Sequence, residues 1–473
     1  MVFTSWVFVG FFVLVYATYL LLQGRLRAQN AMLLVASYVF YGYWDWRFLA
    51  LLAASTVVDY TLALQIDGTD DPRVRKRLIT ASVVMNLTVL GFFKYFDFFG
   101  DSAVRVLQAV GFHPTWTMLH VILPVGVSFY TFQALSYTID VYRRDLRATR
   151  SLVEFALFVT YFPQLVAGPI ERATHLLPQV QRPRTIRIEQ VNAGLQLVLW
   201  GFFKKLVIAD NVALVANQVF NHYTQYRGLD LVLGTLAFTL QIYCDFSAYM
   251  DIARGVARMM GFDLMLNFRL PYFALSPSDF WQRWHISLSR WLRDYLYIPL
   301  GGNKGGVAST YRNLALTMLL GGLWHGASWN FVLWGGFHGL ILIVYRALGM
   351  APEREPPPVT LLGHLRRAGQ LLTMFTLTNV GWVLFRASSV EQVAWFFTHP
   401  GLSTSAETAS FARGVTLAAL PLLLVQLAQH RTGDLQILTR LPTAARVPVY
   451  SALLVILTVF GARTSSEFIY FQF

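Results

Sequence analysis

Long apolar stretches separated by short polar loops recur along this sequence. Many approach the ~20 apolar residues that a helix needs to cross the hydrocarbon core of a bilayer. The regular alternation of apolar and polar residues that marks an outer-membrane β-barrel does not occur. The pattern therefore predicts an all-α polytopic membrane protein, with candidate helices at 6–22, 31–43, 48–66, 79–99, 118–139, 152–166, 191–219, 231–244, 314–323, 329–345, 371–385, 415–427 and 447–460.

Several of these stretches are too short to cross a membrane comfortably. We expect about 9–12 true spans, and we assign the other stretches to re-entrant or interfacial helices, whose backbone must be shielded by protein or water. The run Pro356-Pro357-Pro358 predicts a stiff break, because proline fixes φ and lacks an N–H donor. We therefore expect a single integral domain with a membrane-embedded core at 1–350 and peripheral C-terminal helices at 351–473.

The segment 276–300 has a different pattern, in which large apolar residues recur at helical spacing and basic residues fall on another side. Ser276 suits the N-cap, and Pro277 suits the first helical position, where a missing N–H costs nothing. The spacing predicts one amphipathic helix in the membrane interface, ended by Gly301-Gly302. His285 lies on the apolar arc of this helix, so it should face protein or lipid.

Composition supports the membrane class, since 55% of the residues are hydrophobic and 13% are charged, against about 25% charged in soluble domains. The net charge of +13 does not indicate nucleic-acid binding, because basic residues cluster in short loops such as 25–27, 73–77 and 143–150. This distribution follows the positive-inside rule and orients those loops toward the cytoplasm and anionic lipid. A single cysteine, Cys244, excludes an internal disulfide and a cysteine-rich metal site.

The N-terminal apolar stretch at 1–23 has no basic residues before it, whereas Arg25 and Arg27 follow it. A cleavable signal peptide has a positive segment at its start and a small-residue cleavage site, and neither is clear here. We interpret the stretch as a retained first span with its N-terminus outside the cytoplasm.

The best indication of chemistry lies between Trp324 and Gly339, which read W-H-G-A-S-W-N-F-V-L-W-G-G-F-H-G. His325 and His338 stand there in apolar surroundings, where an ionisable group is costly and marks a functional site by default. Imidazole takes and gives a proton near neutrality. On one continuous helix the two would lie ~20 Å apart along the axis and on roughly opposite sides. Either the helix breaks, which Gly335-Gly336 permits, or only one histidine is catalytic and the other is a packing residue.

Two other chemistries receive little support. Three histidines can bind zinc, but no H-E-x-x-H motif occurs, and we predict no metal. No G-x-S-x-G elbow marks a serine nucleophile. The pair Lys204-Lys205 either extends to the membrane interface, which we favour, or binds an anionic ligand.

Four stretches together resemble the membrane-bound O-acyltransferase (MBOAT) superfamily, and above all its branch for bacterial alginate O-acetylation. They are Y-F-P-Q-L-V-A-G-P-I at 161–170, Q-I-Y-C-D-F-S-A-Y at 241–249, D-F-W-Q-R-W-H-I-S-L at 279–288 and the run at 324–339. The ending F-I-Y-F-Q-F at 468–473 is also similar. The resemblance covers essentially the whole chain. It implies an MBOAT fold, in which helices surround a central funnel and tunnel, with the catalytic core at 1–350.

The resemblance also implies roles for individual residues. The invariant histidine of the superfamily matches His338, and a second functional histidine matches His285, so we expect both to be catalytic. The W-H-G part places His325, Trp324 and Asn330 in supporting roles. The implied acyl donor is acetyl-CoA or another thioester on the cytoplasmic side, with no bound cofactor. The implied partners are periplasmic proteins that pass the acetyl group to a polysaccharide, which places the chain in a bacterial inner membrane.

These expectations give a mechanism in which His338 acts as general base on a hydroxyl that attacks the acetyl thioester. His285 would orient the donor carbonyl or the acceptor, or share the proton. Arg283, Arg290 and Lys304 are candidates for binding the phosphates of CoA, and a solvated cytoplasmic face explains them equally well.

The sequence does not determine which polymer accepts the acyl group. Alginate leads, and cellulose, peptidoglycan and the D-alanylation of teichoic acid are alternatives, because related proteins serve them. A transporter or flippase, or a structural subunit of an envelope assembly, would also account for many spans. Neither explains the two-histidine motif, and we find no internal repeat of the kind expected in many transporters.

Overall fold

The computed structural model describes residues 1–114, 119, 121–350, 359–462, 468 and 469. Within these ranges the chain forms helices and connecting segments, without a β-strand. Seven helical segments of the described chain are long and apolar enough to cross a membrane, at Leu26–Asp67, Pro72–Ala109, Leu229–Met259, Trp329–Ala347, Leu361–Arg386, Thr408–Thr432 and Thr443–Phe460. The predicted all-α polytopic class is confirmed, and the number of true spans remains a prediction.

The chain divides into two compact units, and the first comprises Met1–Leu195 and Ala253–Met265. A π-helical turn at Gly91–Tyr95 joins two of its helices. The helices that lie wholly in this unit are α1 (Trp6–Leu21), α2 (Leu26–Asp45), α3 (Leu49–Asp67), α4 (Pro72–Leu90), α5 (Phe96–Ala109), α6 (Val127–Arg143), α7 (Leu152–Thr160) and α8 (Ala173–Gln181).

Helices α3, α4 and α6 of this unit pack around a buried carboxylate. Asp59 is fully buried, and it accepts hydrogen bonds from Ser82 Oγ at 2.6 Å and from Asn86 Nδ2 at 2.9 Å. The Ser82 hydroxyl also lies 3.1 Å from Thr138 Oγ1. Polar side chains that hydrogen-bond across helices stabilise membrane bundles, so this cluster ties the three helices together.

The motif at 161–170 forms a buried turn after α7. The stretch predicted as a candidate span at 152–166 gives a helix of only nine residues, which ends at Thr160. Pro163 explains the early end, because the residue before a proline is disfavoured in helical conformation. Gly126 lies against this turn with φ of 77°, and a Cβ on it would stand 2.9 Å from Leu165 O.

The second unit comprises Gln196–Ile252 and Leu266–Phe473. Helices α9 (Ile188–Phe202) and α11 (Leu229–Met259) belong partly to each unit. The helices wholly in the second unit are α10 (Asp210–Asn221), α12 (Pro277–Trp281), α13 (Ile286–Leu292), α14 (Gly306–His325), α15 (Trp329–Ala347), α16 (Leu361–Arg386), α17 (Val390–Thr398), α18 (Thr408–Thr432), α19 (Ile437–Arg440) and α20 (Thr443–Phe460).

Three sequence predictions fall partly or wholly outside the described residues. They concern the start of the stretch at 118–139, the proline run at 356–358 and the motif at 468–473, of which residues 468 and 469 are described. The division of the chain at residue 351 therefore remains a prediction.

A π-helical turn between α9 and α10 holds two buried lysines. Lys204 Nζ lies 2.8 Å from Asp251 Oδ2. Lys205 Nζ lies 2.9 Å from Asp210 Oδ1 and 2.9 Å from Asp245 Oδ1. The prediction that these lysines extend to the membrane interface is wrong, because carboxylates on the neighbouring helices pair with them inside the protein.

The segment 276–300 does not form one helix. Ser276 caps α12 as predicted, and its Oγ accepts a hydrogen bond from Asp279 N at 3.2 Å. However, α12 ends at Trp281, and α13 begins only at Ile286, after His285 with φ of 44°. The single amphipathic helix is therefore a wrong prediction, because backbone hydrogen bonds to the chain at 267–269 replace helical ones at this point.

Candidate functional site

Helices α14 and α15 form a hairpin that carries His325 and His338. Helix α14 ends at His325, and α15 begins at Trp329 after a short turn at 326–328. The chain therefore breaks between the two histidines, which was one of the two alternatives. The predicted position of the break is wrong, because Gly335-Gly336 lie inside α15.

Glycines allow the two helices of the hairpin to approach closely. A Cβ on Gly322 would overlap the carbonyl oxygen of Phe331, and a Cβ on Gly335 would overlap that of Met318. Small residues have this function in membrane helix pairs, where backbones pack directly against each other. Gly335 thus serves packing rather than a helix break.

His338 lies within α15 and is 1% exposed. Its ring packs edge-to-face against Trp281 and Trp334, with centroids 5.0 and 4.7 Å away, and nearly parallel to Phe280 at 6.1 Å. Among the described residues, Nδ1 has no hydrogen-bond partner. Nε2 faces Gly381 of α16, where a Cβ would stand 3.0 Å away. Aromatic side chains therefore pack around the imidazole, whereas its Nε2 faces Gly381, which has no side chain.

Ring contacts bring the three histidines into one cluster. His325 packs against Trp334 at 5.0 Å between centroids, and Trp334 in turn packs against His338. On its other side His325 lies 6.3 Å from the ring of His285. The structure thus connects His285 to His338 through His325 and Trp334.

An unusual backbone turn holds His285. Its φ of 44° lies in the left-handed region, which costs a non-glycine residue roughly 1–3 kcal/mol. Asn267, which is fully buried, stabilises the turn. Its carbonyl oxygen accepts from Ile286 N at 3.0 Å, and its Oδ1 accepts from Ser287 N at 2.8 Å. Because both bonds end on the residues that directly follow His285, they fix the direction of the imidazole.

His285 is fully buried and lies outside the helical segments that are long enough to span a membrane. Burial lowers the pKa of His285 to about 3. The imidazole is therefore neutral near pH 7, with one nitrogen as donor and the other as acceptor. A neutral imidazole in this position can orient a carbonyl or a hydroxyl group without adding charge.

The chain at residues 468 and 469 reaches the same region. Ile469 N donates a hydrogen bond to Asp245 Oδ2 at 2.8 Å. Phe468 packs against Phe246 with ring centroids 5.9 Å apart, and Phe246 packs against His285 at 4.9 Å. The motif around Asp245 therefore connects this segment to His285.

Asn330 and Trp324, which we expected to support the site, connect its helices and pack against its histidines. Asn330 Nδ2 donates a hydrogen bond to Ala387 O, which joins the start of α15 to the end of α16. Trp324 is 3% exposed and packs against His285 and His325, with centroids 5.9 and 5.2 Å away. Their supporting role stays a prediction that these contacts make physically reasonable.

The three basic residues expected at the donor lie in different surroundings. Arg283 Nε donates to Asp279 Oδ1 at 2.6 Å, so this side chain braces α12. Arg290 and Lys304 are exposed to solvent. The structure therefore leaves Arg290 and Lys304 as the accessible cations, and donor binding by any of the three stays a prediction.

Two residues of the site carry no sequence motif. Asn267 is a polar residue between Leu266 and Phe268, and this apolar context is the only sign of its role. Gly381 lies inside the stretch predicted at 371–385, where a glycine has many explanations. Both act through residues far away in sequence, so their roles become visible only in the folded chain.

The chemistry that this arrangement supports is proton transfer by imidazole in a buried, aromatic environment. Among the residues that the structure describes, no three His, Cys, Asp or Glu side chains converge as metal ligands. A general base must lie within hydrogen-bond reach of the proton that it removes, and Nε2 is the nitrogen of His338 that faces Gly381 of α16.

Comparison with known proteins identifies the family. The sequence model of the membrane-bound O-acyltransferase family matches residues 143–351, which include all three histidines. The chain is 46% identical over 397 residues to the probable alginate O-acetylase AlgI of Pseudomonas aeruginosa, covering 84% of this chain and 74% of that protein. It is 40% identical over 502 residues to the probable AlgI of Pseudomonas putida, covering 100% of both.

A relative with a different named activity also matches over most of its length. The chain is 37% identical over 388 residues to the peptidoglycan O-acetyltransferase of Helicobacter pylori, covering 76% of this chain and 71% of that protein. The family model and these relatives agree with the long apolar helices. The chain is a multi-pass membrane O-acyltransferase that belongs to the membrane-bound O-acyltransferase family.

Proposed function

We propose that this protein transfers an acetyl group from acetyl-CoA for the O-acetylation of an envelope polysaccharide, with alginate as the first candidate. The names of the Pseudomonas relatives support alginate, and that of the Helicobacter relative makes peptidoglycan the alternative. The observation that carries the proposal is the environment of His338, a buried imidazole with aromatic walls whose Nε2 faces a glycine of α16.

The proposed reaction needs one proton acceptor and one leaving group. Nε2 of His338 takes the proton of the acceptor hydroxyl while the hydroxyl oxygen forms a bond to the acetyl carbonyl carbon. The C–S bond of the thioester then breaks, and the CoA thiolate takes the proton from the imidazolium. General-base catalysis contributes about 10²–10⁴-fold to such a step, and positioning of the two reactants supplies several kcal/mol more.

The aromatic side chains around His338 would protect the thioester from water in this mechanism. Water is a competing acceptor that would hydrolyse the thioester, and a closed site prevents such side reactions. Trp281, Trp334 and Phe280 surround the imidazole at centroid distances of 5.0, 4.7 and 6.1 Å. We propose that they limit access of water to the carbonyl carbon, and that His285 orients the donor or the acceptor.

The proposal also places the donor and the acceptor on opposite sides of a bacterial inner membrane. Acetyl-CoA is a cytosolic compound, and the positive-inside rule orients the basic loops toward the cytoplasm. Arg290 and Lys304 are exposed cations on that proposed side that can attract the phosphates of CoA. A periplasmic partner would accept the acetyl group and pass it to the polymer.

Purified wild-type protein and His338→Ala should be incubated with radiolabelled acetyl-CoA, with and without the candidate periplasmic partner. Release of free CoA thiol and transfer of label are both measured. We expect thiol release by the wild type and at least about a 100-fold lower rate in the variant, since the general base is lost.

His222→Ala is the matched control, because His222 is exposed at the end of α10. It should retain the wild-type rate. Full activity of His338→Ala would exclude His338 as the base. Absence of thiol release from folded wild-type protein under every condition would contradict the donor, and label on peptidoglycan rather than alginate would change the acceptor.

A further inference from the structure

Helix α13 begins directly after His285, which occupies its N-cap position. The first N–H groups of a helix have no partner inside the helix, and the side chain of the N-cap residue usually accepts one of them. Ser276 does this for α12. The side chain of His285 makes no such bond, and its backbone is left-handed rather than extended. The N–H groups of α13 therefore need acceptors from elsewhere in the chain.

Asn267 supplies these acceptors from a separate, buried segment. Its main-chain oxygen accepts a hydrogen bond from Ile286 N at 3.0 Å, and its Oδ1 accepts one from Ser287 N at 2.8 Å. Its Nδ2 lies 3.5 Å from Sδ of Met250 in α11, so the side-chain amide has contacts at both ends. The first two N–H groups of α13 are thus bound by one residue outside the helix.

The same segment also binds the chain before His285. Arg269 N donates to Arg283 O at 2.9 Å, and Arg283 Nη1 lies 3.4 Å from Arg269 O. Arg283 Nε donates in turn to Asp279 Oδ1 of α12 at 2.6 Å. His285 therefore lies between two attachment points, one at the residue two positions before it and one at the two residues that follow it.

We propose that Asn267 is a positioning residue for the acyl transfer, because it replaces the N-cap side chain of α13 and leaves that position to the imidazole of His285. The inference rests on the proposed function, in which His285 orients the donor or the acceptor. Asn267 itself touches neither reactant. Without its side-chain acceptor, the left-handed turn loses a contact that maintains its strain, and the ring of His285 moves away from Phe246 and Trp324, against which it packs.

The test is a double-mutant cycle of Asn267→Leu and His285→Ala. Leucine is close to asparagine in size but has no side-chain acceptor. Thiol release from acetyl-CoA in the presence of the acceptor gives kcat for the wild type, both single variants and the double variant. We expect Asn267→Leu to lower kcat about 10–100-fold in the wild-type chain, as for a displaced catalytic group. In the His285→Ala chain it should lower kcat by less than about twofold, because its effect passes through the imidazole.

Asn30→Leu is the matched control. Asn30 is likewise a buried asparagine that binds the main chain, since its Nδ2 donates to Val180 O at 2.9 Å, but it belongs to the first unit. This variant should lose stability in a thermal melt and retain the wild-type kcat of the folded protein. A loss of kcat as large as that of Asn267→Leu would assign the effect to general destabilisation and would overturn the inference.

The outcomes of the cycle separate this inference from the proposed function. Equal losses of kcat from Asn267→Leu with and without His285 would overturn it, and so would a wild-type kcat in folded Asn267→Leu. A wild-type kcat in His285→Ala would remove the role of His285 and the inference with it, while an inactive His338→Ala would leave the acyl transfer standing. An inactive wild type would contradict the proposed function itself.

Two further measurements apply if Asn267→Leu does not fold or if His285→Ala has no measurable rate. Aspartate keeps both acceptors and suits the first N–H groups of a helix, so Asn267→Asp should fold and keep most of the wild-type kcat. A loss in folded Asn267→Asp as large as that expected for leucine would overturn the inference. A cryo-EM map of folded Asn267→Leu should show the imidazole of His285 turned away from Phe246 and Trp324, and a ring in its wild-type place would also overturn it.

Discussion

His285 combines a strained backbone with a buried, neutral ring. Its left-handed φ is held by Asn267, whose carbonyl and side-chain oxygens accept the N–H groups of the two following residues. Each such hydrogen bond contributes about 0.5–1.5 kcal/mol, which offsets the roughly 1–3 kcal/mol of strain. Strain retained by surrounding contacts is common where a side chain must point in one direction.

The lowered pKa of His285 predicts a pH dependence of stability. In the folded protein the ring stays neutral down to pH of about 3, whereas an unfolded histidine takes up a proton below its ordinary pKa of about 6.5. The unfolded state binds more protons between these values, so the free energy of unfolding falls as pH falls. From pH 7 to pH 5 this group alone should reduce it by about 2 kcal/mol.

Melting temperatures of wild type and His285→Gln, measured in detergent at both pH values, check this prediction. Glutamine keeps a donor and an acceptor but does not titrate, so the variant should lose less stability on acidification. An equal loss in both proteins would contradict the lowered pKa.

At the scale of single residues, the sequence indicates which side chains are candidates for the chemistry. It does not indicate which residues hold those side chains in place. The burial of His338 and His285 was predictable because both lie in apolar motifs, and their catalytic role stays a prediction from the resemblance to a known family. The contributions of Asn267 and Gly381 depend on distances across the folded unit. No local pattern distinguishes such an asparagine or glycine from one that only packs.

At the scale of helices, the hairpin of α14 and α15 shows that a single glycine can determine the distance between two helices. Gly335 and Gly336 are adjacent, but they have opposite surroundings. A Cβ on Gly335 would overlap Met318 O, whereas a Cβ on Gly336 would lie 3.6 Å from Leu319 Cδ2 in ordinary contact. Only the first glycine holds the two helices close together.

Gly335→Ala should therefore separate the hairpin and displace Trp334 and His338. We expect a loss of about 1–3 kcal/mol in stability, as for other overpacked sites, and a large loss of acyl transfer. Gly336→Ala should leave activity unchanged and raise stability by up to about 1 kcal/mol, because alanine is the better helix former. Thermal melting and thiol release on the three proteins check this. Similar behaviour of both variants would contradict the packing argument.

Helix existence was predictable at this scale, while helix interruptions were not. The periodicity of segment 276–300 is helical on both sides of His285, and its N-cap at Ser276 was correct. The interruption comes from hydrogen bonds to residues 267–269, which are nearby only in the folded chain. Similarly, the glycine pair suggested a break in α15, yet the pair packs inside a continuous helix.

For the molecule as a whole, charge burial is the feature that composition did not reveal. Lys205 is 5% exposed and lies between Asp210 and Asp245, each 2.9 Å from its Nζ. Removal of one partner from a buried ion pair typically costs about 3–5 kcal/mol, because the other charge stays in a poor environment. Loss of a single partner from this cluster should therefore be strongly destabilising.

Lys205→Met should lower the free energy of unfolding by about 3–5 kcal/mol. Adding Asp210→Asn and Asp245→Asn to the same chain should restore a large part of that loss, since the buried carboxylates are gone. Arg47→Ala is the surface control, because Arg47 pairs with Asp45 while 60% exposed, and it should change the stability far less than Lys205→Met does. Thermal melts of these variants check the prediction. Equal effects of Lys205→Met and Arg47→Ala would contradict it.

The all-α polytopic class followed from apolar run length alone, because a bilayer permits few other structures. The predicted start and end points of the helices were less accurate than the fold class. Helix α11 extends from Leu229 to Met259, whereas the apolar pattern ended at residue 244. Its second half carries Asp245, Asp251 and Arg254, which end a hydropathy pattern but not a helix whose polar groups are paired within the protein.

The hydrogen bond from Ile469 to Asp245 has a consequence for biosynthesis. Its two residues are 224 positions apart, so the bond can form only after the long stretch of chain between them has been synthesised. Phe468 arrives with it and packs against Phe246, the neighbour of His285. A nascent chain that stops before this point holds the histidines and Phe246 but lacks the ring that packs against Phe246. The ring of Phe468 therefore joins this cluster only after the chain up to that residue has been synthesised.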